Sequence, residues 1–464
     1  MRKLAHVLLV ALMLALALPA SAQGPGDWTE HAENPVFGQA LGGPKAYYPS
    51  VLYDADGFSG HGAPAKYKMW YGTSGGQTGL ATSDDGISWT DHGVVVGNGY
   101  HATVKYYADG FTGANSGDNP SASTMYYRMW YWDNSHLYDV AAIAYTESED
   151  GVTWHNDQPV QNGAVPIVSS GDPWWNRGSY GPCDVLYNPS ASNTGTDWSF
   201  TMYYDGTTGG DERIGLAFSS DGITWTGYDA GSDGKADPVF EGTYVGGDWD
   251  YNYVSRATVL KNADDDYEMW YSGGTGSMNH GIGYATSSDG IHWTRDGDNP
   301  IFHKGDGIDW RDSRTYCPAV LRDGGSYKMW FAGKDGETGD YSIGYATAGP
   351  SMLEIDIDIK PCSDPNSINL KSKGLVPVAV LSTYDFDATN VDPVTVEFAG
   401  AAPLRWAVED VCPYDGKDDL LFHFKTQGLN LNEDSTEATL AGATCGGQPI
   451  QGTDTVNIVP KGKK

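Results

Sequence analysis

Apolar strands recur along this chain as parts of one repeated unit. An apolar run leads into a Met-Trp-Tyr strand, then a Gly-x-Ala-Thr-Ser strand, then a Ser-x-Asp-Gly-x-x-Trp turn. The Met strands are Met69-Trp70-Tyr71, Met129-Trp130-Tyr131, Met202-Tyr203-Tyr204, Met269-Trp270-Tyr271 and Met329-Trp330-Phe331. Only four turns accompany them, with aspartates at Asp85, Asp150, Asp221 and Asp289, spaced 65, 71 and 68 residues apart. That spacing holds four strands and their loops, and a repeat of this kind is the signature of a propeller. The missing outer piece lies at the other end of the chain. Trp28-Thr29 and Asn34-Pro35-Val36-Phe37 match Trp293-Thr294 and Asn299-Pro300-Ile301-Phe302 at the same spacing. The expectation is an all-β, five-bladed β-propeller over 23–350, closed by its N-terminal strand so that no sheet edge stays open. Each Ser-x-Asp-Gly turn reads as a hairpin device, with glycine supplying φ > 0.

After Pro350 the repeat stops. Glu354-Ile355-Asp356-Ile357-Asp358-Ile359-Lys360 alternates as a half-buried strand. Further strands are expected at Val376–Leu381, Val394–Phe398, Leu420–Phe424, Ala438–Leu440 and Thr455–Val459, which gives a β-sandwich-like accessory domain over 351–464. At the other terminus Arg2 and Lys3, the apolar run Leu4 to Leu18, and Ala20-Ser21-Ala22 read as an export signal over 1–22. No second such run follows, so a soluble, secreted or periplasmic protein without a membrane span is expected, and a monomer.

Composition narrows the partners. Gly 61, Tyr 30 and Trp 16 fit a turn-rich all-β chain, and a net charge of −32 argues against nucleic acid and anionic membranes. The acidity is otherwise what a solubilising surface needs. Five cysteines is an odd number. In an oxidising compartment one tail disulfide is expected, with Cys362–Cys412 preferred although spacing leaves other pairings open. Asp410, Asp415, Gly416, Asp418 and Asp419 make an imperfect match to a calcium loop, so Ca²⁺ is a candidate in the accessory domain, against an ordinary acidic turn.

The Tyr-Lys-Met-Trp-Tyr strand with its Ser-x-Asp-Gly-x-x-Trp turn resembles the five-bladed propeller glycosidases, the arabinanase, xylosidase and fructosidase superfamily, over about residues 27 to 350. The tail, from Lys360-Pro361 to Leu421-Phe422-His423-Phe424-Lys425, resembles a domain appended to secreted bacterial and archaeal proteins. The first resemblance implies a carbohydrate ligand, no cofactor for catalysis, and chemistry at the heads of the inner strands. Aligned on Val51, Val104, Val185, Val259 and Val320, the three slots where the family carries carboxylates hold Tyr48, His101 and Tyr180. Two-carboxylate glycoside hydrolysis therefore needs other acids, and Asp250, Asp312 and Asp184 are the candidates near the strand heads. Trp175, Trp249 and Trp310 each stand ten residues before a reference valine and suit either sugar stacking or packing between blades. Arg256, Arg314, Tyr180 and Tyr316 are candidate substrate-binding residues, with Lys45, Tyr47 and Asp172 nearby. The readings are a glycoside hydrolase, a glycan-binding propeller without catalysis, or a lyase using Tyr48 and His101 with an arginine on a uronate carboxylate. Converging carboxylates would favour the first, an aromatic face alone the second, and converging Tyr, His and Arg the third.

Overall fold

The computed structural model describes residues 25–111, 125–133, 143–167, 175–176, 178–195, 197–207, 210–262, 266–276, 278–323, 326–350, 352–384, 386–412 and 414–459, with backbone alone at 178–180. The expected export signal lies outside them, as does Asp172. Strands dominate, and the helical turns among the described residues are short 3-10 pieces such as Gln39–Leu41 and Asp309–Arg311. Two compact units divide the chain, Gly24–Pro350 and Ser351–Lys464.

In the first unit the repeat folds as five antiparallel meanders. The first is Tyr47–Tyr53, Tyr67–Thr73, Gln77–Ser83 and Thr90–Val96. The second is Gly99–Tyr106, Tyr127–Asp133, Ile143–Ser148 and His155–Pro159. The third runs Gly178–Tyr187, Phe200–Thr207, Glu212–Ser219 and Thr224–Gly227; the fourth runs Tyr253–Lys261, Tyr267–Thr275, Met278–Ser287 and Thr294–Arg295. The fifth has Arg314–Asp323, Ser326–Lys334 and Tyr341–Pro350, and takes its outer strand from Pro25–Glu30, with Trp28 opposite Ala348 and Glu30 opposite Ala346. Asn34 then exchanges two hydrogen bonds with the backbone of Tyr345, as Asn299 does with Tyr284, which is why the two Asn-Pro segments match. The first strands touch in chain order, and that of the fifth meander touches that of the first.

The turn motif ties neighbours together. The serine oxygen and aspartate carboxylate take the turn's N–H groups, as Ser83 does for Gly86 and Asp85 for Ile87 and Ser88. The glycine carbonyl is left to accept from the Met strand of the preceding meander, the fifth preceding the first. Trp330 donates to Gly86, Trp70 to Gly151, Trp130 to Gly222, and the Tyr203 hydroxyl to Gly290. The fifth meander lacks this turn, and Trp270 Nε1 accordingly has no hydrogen-bond partner; Trp28 packs edge-on against its ring instead, centroids 6.4 Å apart.

The second unit holds two four-stranded sheets around one core that includes Ile359, Val378, Phe398, Phe422, Phe424, Leu440 and Ile450. Cys362 is bonded to Cys412. A strand at Arg405–Glu409, exposed along its whole length, pairs with Asp419–Lys425 and was not among the expected ones.

Candidate functional site

The inner strands share one local irregularity. Each breaks register with its neighbour near the head: between Tyr47 and Ser50, Tyr100 and Thr103, Ser255 and Thr258, Tyr316 and Ala319, and twice between Ser179 and Asp184. At these bulges Tyr48, His101, Arg256 and Cys317 adopt φ of 51–56°, and Gly181 takes 120°. Bulky residues avoid that region, so four of them at equivalent positions mark strain held in place by the surrounding sheet. A bulge also re-aims a side chain out of the pleat. Tyr48, His101, Arg256 and Cys317 all line one cavity of about 90 Å³, which also borders Cys183 and Asp184.

Neighbouring strands take the polar groups that the bulges release. The Arg256 N–H donates to Asp205 Oδ1 at 2.9 Å and the Cys317 N–H to Ser272 Oγ at 2.8 Å. At the cavity wall, Tyr48 stacks on His101 with centroids 4.7 Å apart, and the Arg256 guanidinium lies 5.2 Å from the Tyr48 ring centre. His101 Nε2 stands 3.7 Å from Asp205 Oδ2, and the Cys183 thiol donates to Asp205 Oδ1. Arg256 donates to Glu212 Oε2 at 3.0 Å, while the Tyr253 hydroxyl holds Oε1. Burial drives the fully enclosed Asp205 carboxyl up to about 7, against the pull of Arg256 and with the push of Glu212. Burial also raises the Tyr48 phenol and the Cys183 and Cys317 thiols well above their ordinary values.

Tyr48, His101, Arg256 and Tyr316 are thus brought together, Tyr316 lying 5.9 Å edge-on to Tyr48. Arg314 stands two residues before Tyr316 on the same strand and pairs across to Lys334. Tyr180 falls on a strand whose side chain there is outside the described residues. The three acids are placed differently from one another. Asp184 borders the cavity, but its oxygens take the N–H groups of Val185 and Val259, the Thr103 hydroxyl and the Lys105 ammonium. Asp250 is buried away from the cavity lining, bound to Arg295 at 2.8 Å and the Tyr271 hydroxyl at 3.0 Å. Asp312 is exposed and caps the Gly336 N–H. The tryptophans pack inside the meanders. Trp175 stacks on Tyr204 and Trp249 on Tyr271, and Trp310 lies against Phe331. Glycine pairs make room for the rings: an added Cβ at Gly206, Gly273 or Gly333 would lie 2.2–2.4 Å from one of them.

Asp205 and Glu212 were missed because they stand on the second and third strands, outside the inner-strand register. One signal existed. Three residues after the Met, the five Met strands carry Gly72, Trp132, Asp205, Ser272 and Ala332, and only the third is acidic.

In the second unit the calcium candidates do not form a cage. Asp419 is buried and takes the N–H groups of Ser382 and Val411, Asp415 pairs with Lys417, and Asp410 accepts from Gly416. The Asp418 carbonyl accepts from Ser382. Among the described residues no three such ligands converge.

No family model matches the chain. Two uncharacterised proteins of Mycobacterium tuberculosis, from strains CDC 1551 / Oshkosh and H37Rv, are each 36% identical over 110 residues, 21% of this chain. The match spans about a third (34%) of the length of these curated relatives. Solved structures similar to it include a GH130 glycoside hydrolase described with the mannoside phosphorylases (17% identity, 72% of this chain and 96% of that one, TM-score 0.48). A glycoside hydrolase of Parabacteroides distasonis matches at 12% identity, 70% and 98% coverage and TM-score 0.47. A thermostable family-43 glycoside hydrolase matches at 16%, 67% and 91%, and 0.42. At these scores the likeness carries no argument about activity.

Proposed function

We propose that this is a secreted, carbohydrate-active protein: a closed five-bladed β-propeller over 23–350 that acts on a poly- or oligosaccharide at the mouth of its axis, with 351–464 as an accessory domain. The repeat's resemblance to propeller glycosidases supports the class. The reading rests on one observation, the convergence of Tyr48, His101 and Arg256 at strained bulges around one cavity. Strain concentrated on protonatable and cationic side chains is what a preorganised site requires. His101 is the group that exchanges a proton with substrate, and Asp205 behind it, 3.7 Å from Nε2, is a positioning residue for the imidazole. Tyr48, stacked on the imidazole, is its partner acid, and Arg256 binds substrate oxygens.

As a glycoside hydrolase, the site would draw on the two buried carboxylates behind the mouth, Asp205 and Glu212. A second reading, elimination across a uronate ring, is favoured by the placement of Tyr48, His101 and Arg256 on the cavity wall while both carboxylates lie behind it. In elimination one of Tyr48 and His101 takes the proton beside the carboxyl group, the other protonates the leaving oxygen, and Arg256 neutralises the carboxylate.

A polysaccharide panel with product analysis tests this. New reducing ends without unsaturated uronate identify a hydrolase; unsaturated uronate identifies a lyase. His101→Ala should lower turnover by about 10²–10⁴-fold while the folded spectrum is unchanged. Binding without products from any substrate would remove the catalytic reading, and full activity in His101→Ala would remove the assignment.

A further inference from the structure

Beside the mouth, cations collect in a chain that carries 60 acidic residues against 28 basic ones. The Lys45 ammonium lies 4.4 Å from the Tyr341 ring centre, and the Lys334 ammonium lies 5.3 Å from the same centre. Two like charges therefore flank a single ring. Tyr341 sits 5.4 Å from Tyr47, which sits 4.6 Å from Tyr48, so the pair borders the proposed site. Arg314 opposes Lys334 across the strand pair, and alternation puts its side chain on the face of Tyr316, which meets Tyr48.

Among the described residues none of these three cations has a carboxylate within ion-pair distance. The nearby acids are committed elsewhere. Asp312 takes the Gly336 N–H, and Asp335 takes the N–H groups of Glu337 and Thr338 within its own turn. At the cavity wall, Arg256 has a side chain only 10% exposed, and its Nε has no hydrogen-bond partner. A buried guanidinium N–H left without an acceptor costs free energy, which an arriving anionic oxygen would recover. Unpaired like charges beside it act the same way, since each is stabilised by an anion and destabilised by its neighbour.

We infer that the mouth selects an acidic saccharide, with Arg256 on the wall and Lys45, Lys334 and Arg314 on the rim holding its anionic groups. The inference rests on the glycan-binding reading above and names the substrate class. The shared chemistry is an anionic oxygen cluster on a sugar, carried by either a carboxylate or a sulfate ester.

Calorimetric titration of the full chain tests it, using a galacturonate oligomer, the same oligomer reduced to its neutral galactose form, and a sulfated galactan oligomer. Binding of at least one acidic oligomer should exceed the neutral one by about tenfold and weaken as salt rises. Whichever acidic oligomer binds more tightly identifies the anion. The Lys45→Ala/Lys334→Ala double variant should lose this preference, and Lys45→Arg/Lys334→Arg should keep it. Equal affinity for the neutral oligomer, or an acidic preference unchanged in the alanine double variant, overturns the inference and leaves the glycan-binding reading standing. If none of the three binds and a wider neutral glycan panel also fails, the glycan reading falls, and the inference with it.

Discussion

At the scale of single residues, the inner-strand bulges put charge where water is scarce. Asp205 is enclosed, and burial holds its carboxyl up to about 7, well above its ordinary value of about 3.9. The folded chain therefore carries a proton at this position across about pH 4–7 that the unfolded chain has released. Bound protons in excess on the folded side make stability fall as pH rises through that window. The contribution is complete below the unfolded value and lost above the folded one. Asp205→Asn should flatten the slope of unfolding free energy over this range, measured by denaturant titration at several pH values. A variant with an unchanged slope would mean that Asp205 does not titrate there. The site was partly legible at this scale. Tyr48, His101 and Arg256 were found because the reference valines give a register along strands of one kind. Asp205 and Glu212 reach the site sideways from other strands, and no spacing along the chain encodes that.

At the scale of elements, the meanders show why an aromatic residue at a regular position is an ambiguous signal. Trp175, Trp249 and Trp310 recur at one offset because in the third, fourth and fifth meanders a large ring packs against the sheet, and the paired glycines opposite them leave the space. In the fifth meander an added Cβ at Gly333 would lie 2.2 Å from the Trp310 ring and 2.6 Å from Arg311 Cβ. Gly333→Ala should therefore destabilise the protein by about 1–3 kcal/mol, read as a lower denaturant midpoint. A neutral outcome would show that the ring can move aside. The turns were fully legible, since serine, aspartate and glycine act on backbone groups within five residues. Arg405–Glu409 escaped notice as a strand because its side chains are exposed on both faces and leave no apolar alternation to read.

At the scale of the whole molecule, the chain's beginning and the last repeat are joined by more than backbone pairing. Arg311, 1% exposed, donates to Glu30 at 2.6 Å and to Asp306 at 3.1 Å. Glu30→Ala leaves that guanidinium with one carboxylate and should cost about 2–3 kcal/mol, lowering the thermal midpoint of the first unit. An unchanged midpoint would make the junction incidental to stability. The repeat, the number of Met strands, the displaced outer strand and the hairpin chemistry were determined by the sequence itself, because each rests on contacts between residues close along the chain or on a motif that recurs. The tertiary structure alone decided which polar groups share the mouth and which charges go unpaired. Those are matters of distance between strands far apart in sequence, where burial and the local field, and not residue type, set what a carboxylate or a guanidinium does.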